Sequence, residues 1–254
     1  SGHLYLPVGS YDEMLEWSGG SFRNFFLKYP EAQAMQHTML RISRALSELK
    51  GRKTQDARRK RLIGQAEREL YAGQCNCAYW HGVFGGLYLS HLRRAVYHHL
   101  IAAEELLGQA AGRRASIVVS DSDGDGAPEV RLHTPQMAVT VDPGEGGAVT
   151  EWSLFGPRVN LLDTLSRRHE FYHERLKAKP AHAASGARRP ASIHDLLGAK
   201  EENLAAHLVY DDHRRTGFLD YGLQGMPTLE QVVRSTWGER RLWSVAPFTA
   251  RGSR

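Results

Sequence analysis

The spacing of apolar residues changes once along this 254-residue chain, and that change constrains the fold more than any other feature. Between residues 30 and 107 apolar side chains recur every three or four positions, as on one face of an α-helix. From residue 116 short β-branched runs alternate with Gly, Asp and Pro, which is typical of antiparallel strands and turns. The sequence therefore predicts an α+β protein, with a bundle-like helical segment followed by an incomplete antiparallel β-sandwich.

Four helices are predicted in the first part of the chain. Ser10 and Glu13 form a capping box that begins the first helix, and Pro30 occupies a favoured first-turn position of the second. The third covers residues 54 to 73, and the fourth carries its apolar stripe from Leu92 onward. Helices joined by such short connections pack as a bundle-like layer.

Glycine and alanine replace the regular spacing at residues 108 to 115, which indicates a domain boundary. We expect a central helical segment over 1–110 and the first part of a β-sandwich domain over 115–254. Within that second part, the pattern predicts a helix over 161–176 and a loop over 177–191. The strands that remain are too few to complete a sandwich.

Charge and hydropathy argue against two classes of partner. The net charge is +5, but the basic run at 57–61 continues into alternating acids and bases without stacking aromatic residues, so nucleic-acid binding is not expected. No apolar run approaches the roughly 20 residues of a membrane-spanning helix, and the start does not resemble a signal peptide. We expect a cytoplasmic protein that does not enter membranes.

One stretch matches a zinc-hydrolase motif. The sequence HEFYH at 169–173 has the pattern H-E-x-x-H, which on a helix places His169 and His173 one turn apart with Glu170 as general base. The extended form of the motif is absent, because Lys179 stands where a third histidine would be. A zinc-dependent hydrolase with a distant third ligand is therefore an alternative interpretation.

A second stretch resembles the start of a calcium-binding loop. Asp121, Asp123 and Asp125 alternate as in such loops, but Leu132 occupies the twelfth position, where a bidentate Glu is usual. Glu129 is a candidate substitute. A polar hairpin turn explains the same residues equally well, and we predict no cofactor.

The stretch QCNCAYWHGVFGG, residues 74 to 86, admits two interpretations. Its glycines permit a sharp bend between two helices, with Tyr79 and Trp80 packed in the core. An aromatic ring beside Gln74, Asn76 and His81 also suits a sugar, because the ring stacks on C–H groups while the polar groups bind hydroxyls. The residues alone leave both interpretations open.

Cys75 and Cys77 are the only cysteines of the chain. On a helix, residues two apart point to different faces, so the pair is a poor chelate. We expect two reduced thiols rather than a metal site.

The longer stretch QCNCAYWHGVFGGLYLSHLRRAVY resembles a segment of glycoside hydrolase family 57, in its 4-α-glucanotransferase and α-amylase branch. The family form reads Q-C-N-D-A-Y-W-H-G-x-F-G-G-x-Y-L-P-H-L-R. LPVGSYDEMLEW and YDDHRRTGFLDYGL also resemble family segments, so the similarity extends over essentially the whole chain. Cys77 departs from the pattern, because the family has Asp at that position.

The resemblance implies an enzyme that acts on α-1,4-glucans by a retaining mechanism, with a Glu nucleophile and an Asp acid/base. Both carboxylates belong to an N-terminal barrel that this chain is expected to lack, so the chain alone is expected to be an inactive fragment. A non-catalytic glucan-binding or scaffold module is the remaining alternative. The residues that the resemblance places at the glucan cleft are these: Gln74, Asn76, Cys77, Trp80 and His81.

An incomplete sandwich has a physical consequence for the chain. Missing strands leave an unpaired edge and an apolar face without a covering layer. We therefore expect self-association through the incomplete sheet.

Overall fold

A computed structural model describes the following residues: 22–80, 86–123, 125–170, 173, 207–211, 213–219, 221–222, 225–234, 236 and 241–242. The helix predicted from Ser10, the loop predicted over 177–191 and the candidate site residue His81 lie outside them.

Long helices dominate the first part of the described chain. The helices are α1 (Phe22–Lys28), α2 (Pro30–Gly51), α3 (Ala57–Ala72) and α4 (Ser90–Ala110). Two short 3₁₀ helices, Asn76–Tyr79 and Gly86–Tyr88, lie between α3 and α4. The predicted helices from Pro30, over 54 to 73 and from Leu92 are therefore confirmed.

Local signals explain where these helices begin, and their apolar faces explain how they pack. Pro30 is at the start of α2, where its missing N–H would have no helical partner in any case. Asp56 precedes α3 and accepts a hydrogen bond from the N–H of Arg58 at 2.9 Å. The core that the helices share includes these residues: Met35, Ile42, Leu46, Leu70, Leu100 and Ile101. Across the described residues, no helix combines the length and apolar character needed to span a bilayer.

Five antiparallel strands follow the helices. They are β1 (Ser116–Ser120), β2 (Glu129–His133), β3 (Met137–Asp142), β4 (Ala148–Leu154) and β5 (Val159–Asn160). Each strand pairs with the next, so β1 and β5 form the edges of this sheet among the described residues. The predicted α+β class is confirmed, with an open sheet beside the helices.

Three further elements lie near the end of the chain. They are β6 (Tyr221–Gly222), α5 (Leu229–Arg234) and β7 (Arg241–Leu242). β6 and β7 pair with each other in a separate two-stranded sheet.

The face of the five-stranded sheet that meets the helices is charged. Arg131, Thr140 and Glu151 lie directly opposite one another on β2, β3 and β4. The guanidinium of Arg131 contacts the carboxylate of Glu104 in α4 at 2.8 Å and that of Glu151 at 3.1 Å. Arg41 of α2 binds the same Glu104 at 2.6 Å. Ion pairs therefore join the helices to the sheet.

The opposite face of the sheet is apolar. Side chains alternate between the two faces of a strand, so the row Ile117, Leu132, Val139 and Trp152 faces away from the helices. Ile117 is 70% exposed. An apolar face of this kind is what a second sheet covers in a sandwich.

The helix predicted over 161–176 is wrong for residues 161–170, which follow an irregular path. The N–H of Ser166 donates to a carboxylate oxygen of Glu31 at 2.9 Å, and the N–H of Arg167 donates to Asp211 at 2.7 Å. In a helix these donors would bind carbonyl groups four residues earlier. Carboxylates that are distant in sequence bind them instead, and these tertiary bonds override the local pattern.

Candidate functional site

The connection between α3 and α4 is a closed backbone turn. The N–H of Leu87 donates to the carbonyl oxygen of Trp80 at 2.8 Å, which brings the residues before and after 81–85 together. Gly86 has a φ of +44°, and a Cβ added there would lie 2.2 Å from that same oxygen. Only glycine fits such a close approach of two backbone segments.

Part of this turn is packed into the protein. Ala78 and Tyr79 are buried, and the hydroxyl of Tyr79 donates to the carbonyl oxygen of Gly73 at 2.6 Å. Burial raises the pKa of Tyr79. Trp80 is half-buried and packs against the core. The interpretation of this stretch as a packed joint therefore describes Ala78 and Tyr79 well.

The remaining side chains of the turn form an exposed polar rim, which we define as Gln74, Asn76 and Cys77. The sulfur of Cys77 lies 3.6 Å from Oδ1 of Asn76, and Nε2 of Gln74 lies 3.6 Å from the sulfur of Met39. Sulfur is a weak hydrogen-bond partner. The two amides are therefore able to exchange these contacts for the hydroxyl groups of a ligand.

Four of the five predicted site residues thus occupy one short turn: the polar rim and Trp80. A half-buried aromatic ring beside exposed amides suits a sugar, because C–H groups stack on the ring and hydroxyls bind the amides. Cys75 and Cys77 are free exposed thiols, as predicted.

The H-E-x-x-H stretch does not form a metal-binding helix at its first two residues, because His169 and Glu170 lie in the irregular segment. The side chain of Glu170 is 0% exposed. Its carboxylate accepts hydrogen bonds from Lys28 at 2.7 Å, from Tyr29 at 2.7 Å and from Tyr88 at 2.5 Å. A carboxylate held by three donors is a structural anchor, and the geometry does not offer it to a substrate as a general base.

Sequence reasoning missed this anchor and the buried ion network around Glu104. Tyr29 and Tyr88 are far from Glu170 in the chain, and no local pattern marks them as its partners. Although burial opposes its ionisation, the charges of Arg131 and Arg41 hold the pKa of Glu104 below its ordinary value. Both clusters join the helices to later parts of the chain.

The residues of the calcium-loop pattern lie close together in the structure. One carboxylate oxygen from each of Asp121, Asp123, Asp125 and Glu129 lies within 4.8 Å of the other three. Among the residues that the structure describes, no other group of three or more His, Cys, Asp or Glu side chains meets at such distances.

Comparison with known proteins now decides the family. The model described as the middle domain of alpha-amylase/4-alpha-glucanotransferase matches residues 20–107, and the model of the C-terminal domain matches residues 121–253. The chain belongs to the alpha-amylase/4-alpha-glucanotransferase family. The resemblance carried by residues 74 to 97 is therefore confirmed.

Two curated members of the alpha-amylase/4-alpha-glucanotransferase family illustrate the similarity. Alpha-amylase 1 of Dictyoglomus thermophilum is 36% identical over 92% of this chain and 36% of its own length. 4-alpha-glucanotransferase of Thermococcus kodakarensis is 35% identical over 94% of this chain and 38% of its own length. The chain thus spans little more than a third of the length of these relatives.

A solved structure of the alpha-amylase/4-alpha-glucanotransferase family shares the fold. The crystal structure of 4-alpha-glucanotransferase from Thermococcus litoralis aligns with a TM-score of 0.64 and 30% identity. The alignment covers 86% of this chain and 28% of that chain.

Proposed function

We propose that this chain supplies the helical wall of a glucan-binding cleft and part of the β-sandwich of an α-1,4-glucan-acting enzyme of glycoside hydrolase family 57. The relatives are named for two activities, 4-alpha-glucanotransferase and alpha-amylase. The enzyme to which this chain contributes has one of them. The family models that match the chain are those of the middle and C-terminal domains of such enzymes.

The observation that carries the proposal is the arrangement of side chains in the turn between α3 and α4. The turn is anchored from inside by Tyr79, while Trp80 is half-buried and the polar rim is exposed. A joint that served packing alone would have no need of two exposed amides beside a tryptophan. A wall that contacts sugar needs both kinds of group.

In this proposal the residues of the turn bind and orient the glucan. Trp80 stacks against a glucose ring, Gln74 and Asn76 bind hydroxyl groups, and His81 borders the same cleft. Cys77 occupies a position where the family has Asp, and a thiol does not supply the charge-assisted hydrogen bonds of a carboxylate. We expect that difference to weaken the hold on a hydroxyl group at this point.

The chemical step belongs to other residues. We place the nucleophile and the acid/base of the retaining mechanism in the part of the relatives that this chain does not cover. The 254 residues are therefore expected to bind glucan without cleaving or transferring it. Release of sugars from maltooligosaccharides by a preparation free of host amylase would contradict this.

The domain division and location are part of the same proposal. We propose a helical segment over 1–110 and a sandwich segment over 115–254, because α4 ends at Ala110, β1 begins at Ser116, and the two family models match on either side. A cytoplasmic location is supported by Cys75 and Cys77, which are exposed free thiols.

Calorimetric titration of the chain with maltoheptaose tests the proposal, with cellohexaose, which is one glucose unit shorter, as the control for linkage. The two sugars have the same monomer but different linkages, so a site shaped for α-1,4-glucans distinguishes them. We expect saturable binding of maltoheptaose and weaker binding of cellohexaose. A chain that binds neither sugar is a scaffold module, and that result would reject the proposal.

A further inference from the structure

The loop between β1 and β2 collects carboxylates that no part of the proposed function uses. Asp121, Asp123 and Asp125 lie in the loop, and Glu129 is the first residue of β2. One oxygen from each side chain lies within 4.8 Å of the others. Two oxygens on opposite sides of a calcium ion are about 4.6–5.2 Å apart, because each Ca–O bond measures about 2.3–2.6 Å.

Glu129 supplies an independent sign of a ligand. The residue is only 4% exposed. Its Oε2 accepts hydrogen bonds from the N–H of Ser122 at 2.6 Å and from the Ser122 hydroxyl. Its Oε1 is buried, and none of the described residues donates a hydrogen bond to it. A buried carboxylate oxygen without a donor is costly unless the group takes up a proton or binds a cation, and a cation site is what three further carboxylates within 4.8 Å provide.

The loop holds its aspartates in fixed positions. One oxygen of Asp123 accepts from the N–H of Asp125 at 3.2 Å, and one oxygen of Asp125 accepts from the N–H of Ala127 at 2.7 Å. Gly126 has a φ of +93°, and it occupies the sixth position of the loop, where calcium loops require glycine for a sharp turn. A carboxylate has two oxygens, so these bonds shape the loop without using every oxygen.

We propose that Asp121, Asp123, Asp125 and Glu129 bind one calcium ion, with Glu129 at the ninth loop position in place of the usual glutamate at the twelfth. The twelfth residue, Leu132, lies within β2 opposite Ile117 and Val139. That pairing removes Leu132 from the loop and leaves Glu129 as the carboxylate that follows the three aspartates.

The donor set favours calcium over magnesium. Calcium takes six to eight oxygen ligands in flexible geometry, whereas magnesium keeps several waters and uses one or two carboxylates. The four clustered carboxylates also repel one another, and a divalent cation of either kind relieves this repulsion.

The ion would tighten a contact between the sheet and the helices. Nε2 of Gln33 in α2 donates to the carbonyl oxygen of Asp123 at 3.3 Å. Fixing the aspartate loop therefore fixes the attachment of the β1–β2 connection to α2. The proposal stands on the loop alone and does not depend on glucan binding.

Calorimetric titration of the full 254-residue chain with CaCl₂, after removal of metal with a chelator, tests the site. We expect one ion per chain, a dissociation constant in the range of about 10⁻⁷ to 10⁻³ M, and a melting temperature that rises with calcium. Magnesium chloride is expected to bind at least about tenfold more weakly. Absence of saturable calcium binding would overturn the proposal, as would equal affinity for magnesium.

Two substitutions that each remove one negative charge distinguish the loss of a calcium ligand from the loss of nearby negative charge. Glu129→Gln removes the charge of a proposed ligand. Glu145→Gln removes a nearby charge that Asp123 and Asp125 repel, although Glu145 is not one of the four clustered carboxylates. We expect at least about tenfold weaker calcium binding for Glu129→Gln and less than about threefold change for Glu145→Gln. Circular dichroism establishes that each variant is folded, and Asp125→Asn replaces Glu129→Gln if the latter is not. If the folded variant Glu129→Gln, or its replacement Asp125→Asn, binds calcium as tightly as folded Glu145→Gln, the assignment is overturned.

Discussion

A Cβ atom at Gly86 would lie 2.2 Å from the carbonyl oxygen of Trp80. The two backbone segments are therefore in direct contact across the turn between α3 and α4. This contact sets where Trp80 and the polar rim lie relative to the helices, so the position of the proposed glucan wall depends on Gly86.

Gly86→Ala is expected to destabilise the protein. The positive φ alone costs about 1–2 kcal/mol for a residue with a Cβ, and the clash with Trp80 adds to it. Gly64→Ala is the matched control, because nothing lies within 4 Å of a Cβ at that position in α3. Alanine there should raise the free energy of unfolding by about 0.5–1 kcal/mol. Urea denaturation measures both, and equal effects of the two substitutions would contradict the close contact.

The anchor at Glu170 yields a second prediction. Tyr29→Phe removes a hydroxyl that donates to the fully buried carboxylate, and a hydrogen bond to a charged group contributes about 1.5–3 kcal/mol. Tyr71→Phe removes a similar bond to Glu67 from a residue that is 61% exposed. We expect Tyr71→Phe to lower the free energy of unfolding by less than about 0.5 kcal/mol. Thermal unfolding distinguishes the two, and a neutral Tyr29→Phe would show that the bond from Tyr29 to Glu170 does not anchor this segment.

Acid should weaken the contact between helices and sheet through Glu104. Its folded-state pKa is lower than the value of 4.5 expected without the fold, because the charges of Arg131 and Arg41 outweigh the opposing effect of burial. Ionised Glu104 therefore stabilises the protein fully above pH 4.5, and this stabilisation is lost as the pH falls from there through the folded-state pKa.

Glu104→Gln should reduce stability at pH 7 by about 3–5 kcal/mol, since it leaves Arg41 and Arg131 with only Glu151 to balance their two charges. It should also flatten the dependence of unfolding free energy on pH below 4.5. Glu48→Gln, at an exposed position of α2, is the control. A variant with the wild-type pH slope would mean that Glu104 does not govern the acid response.

The apolar face of the sheet predicts self-association. Val119 of β1 is 57% exposed and lies on an edge strand of the described sheet. A lysine on such a strand opposes pairing with another chain. Val119→Lys should therefore lower the fraction of oligomer in sedimentation velocity, while Val233→Lys, at a 55% exposed position of α5, should not. A wild-type chain that stays monomeric at all concentrations would reject the prediction.

Parts of the fold with local causes could be predicted from the sequence. Met35, Ile42 and Leu46 recur at helical spacing, and α2 buries all three. The irregular path of 161–170 could not be predicted, because its backbone donors bind Glu31 and Asp211, which are far away in the chain. Helical spacing in that segment carried no information about these partners.

The candidate sites show the same division. The sequence predicted that the residues of the polar rim lie together, because they are neighbours in the chain and their stretch resembles a family segment in which only Cys77 of the three departs from the pattern. It also marked the three aspartates of the β1–β2 loop. It also named Glu129 as a candidate fourth ligand, but the burial of Glu129 Oε1 emerged only from the structure, because it depends on how the loop packs. A sequence pattern contains residue types but not the solvent exposure of an atom.

The proposed function requires the turn between α3 and α4 to contact an α-1,4-glucan. The most direct test measures maltoheptaose affinity and unfolding free energy on the same variants. Phe218→Ala is the control, since Phe218 is a 70% exposed aromatic residue next to Trp152 of the sheet.

We predict that Trp80→Ala weakens maltoheptaose binding by about 1–3 kcal/mol, a range measured for bases stacked on aromatic rings, and that Phe218→Ala leaves the affinity unchanged. If Trp80 only packs the joint, Trp80→Ala will instead lower the free energy of unfolding by about 3–5 kcal/mol. Unchanged maltoheptaose affinity of the folded fraction, together with that loss of stability, would reject a role of Trp80 in glucan binding.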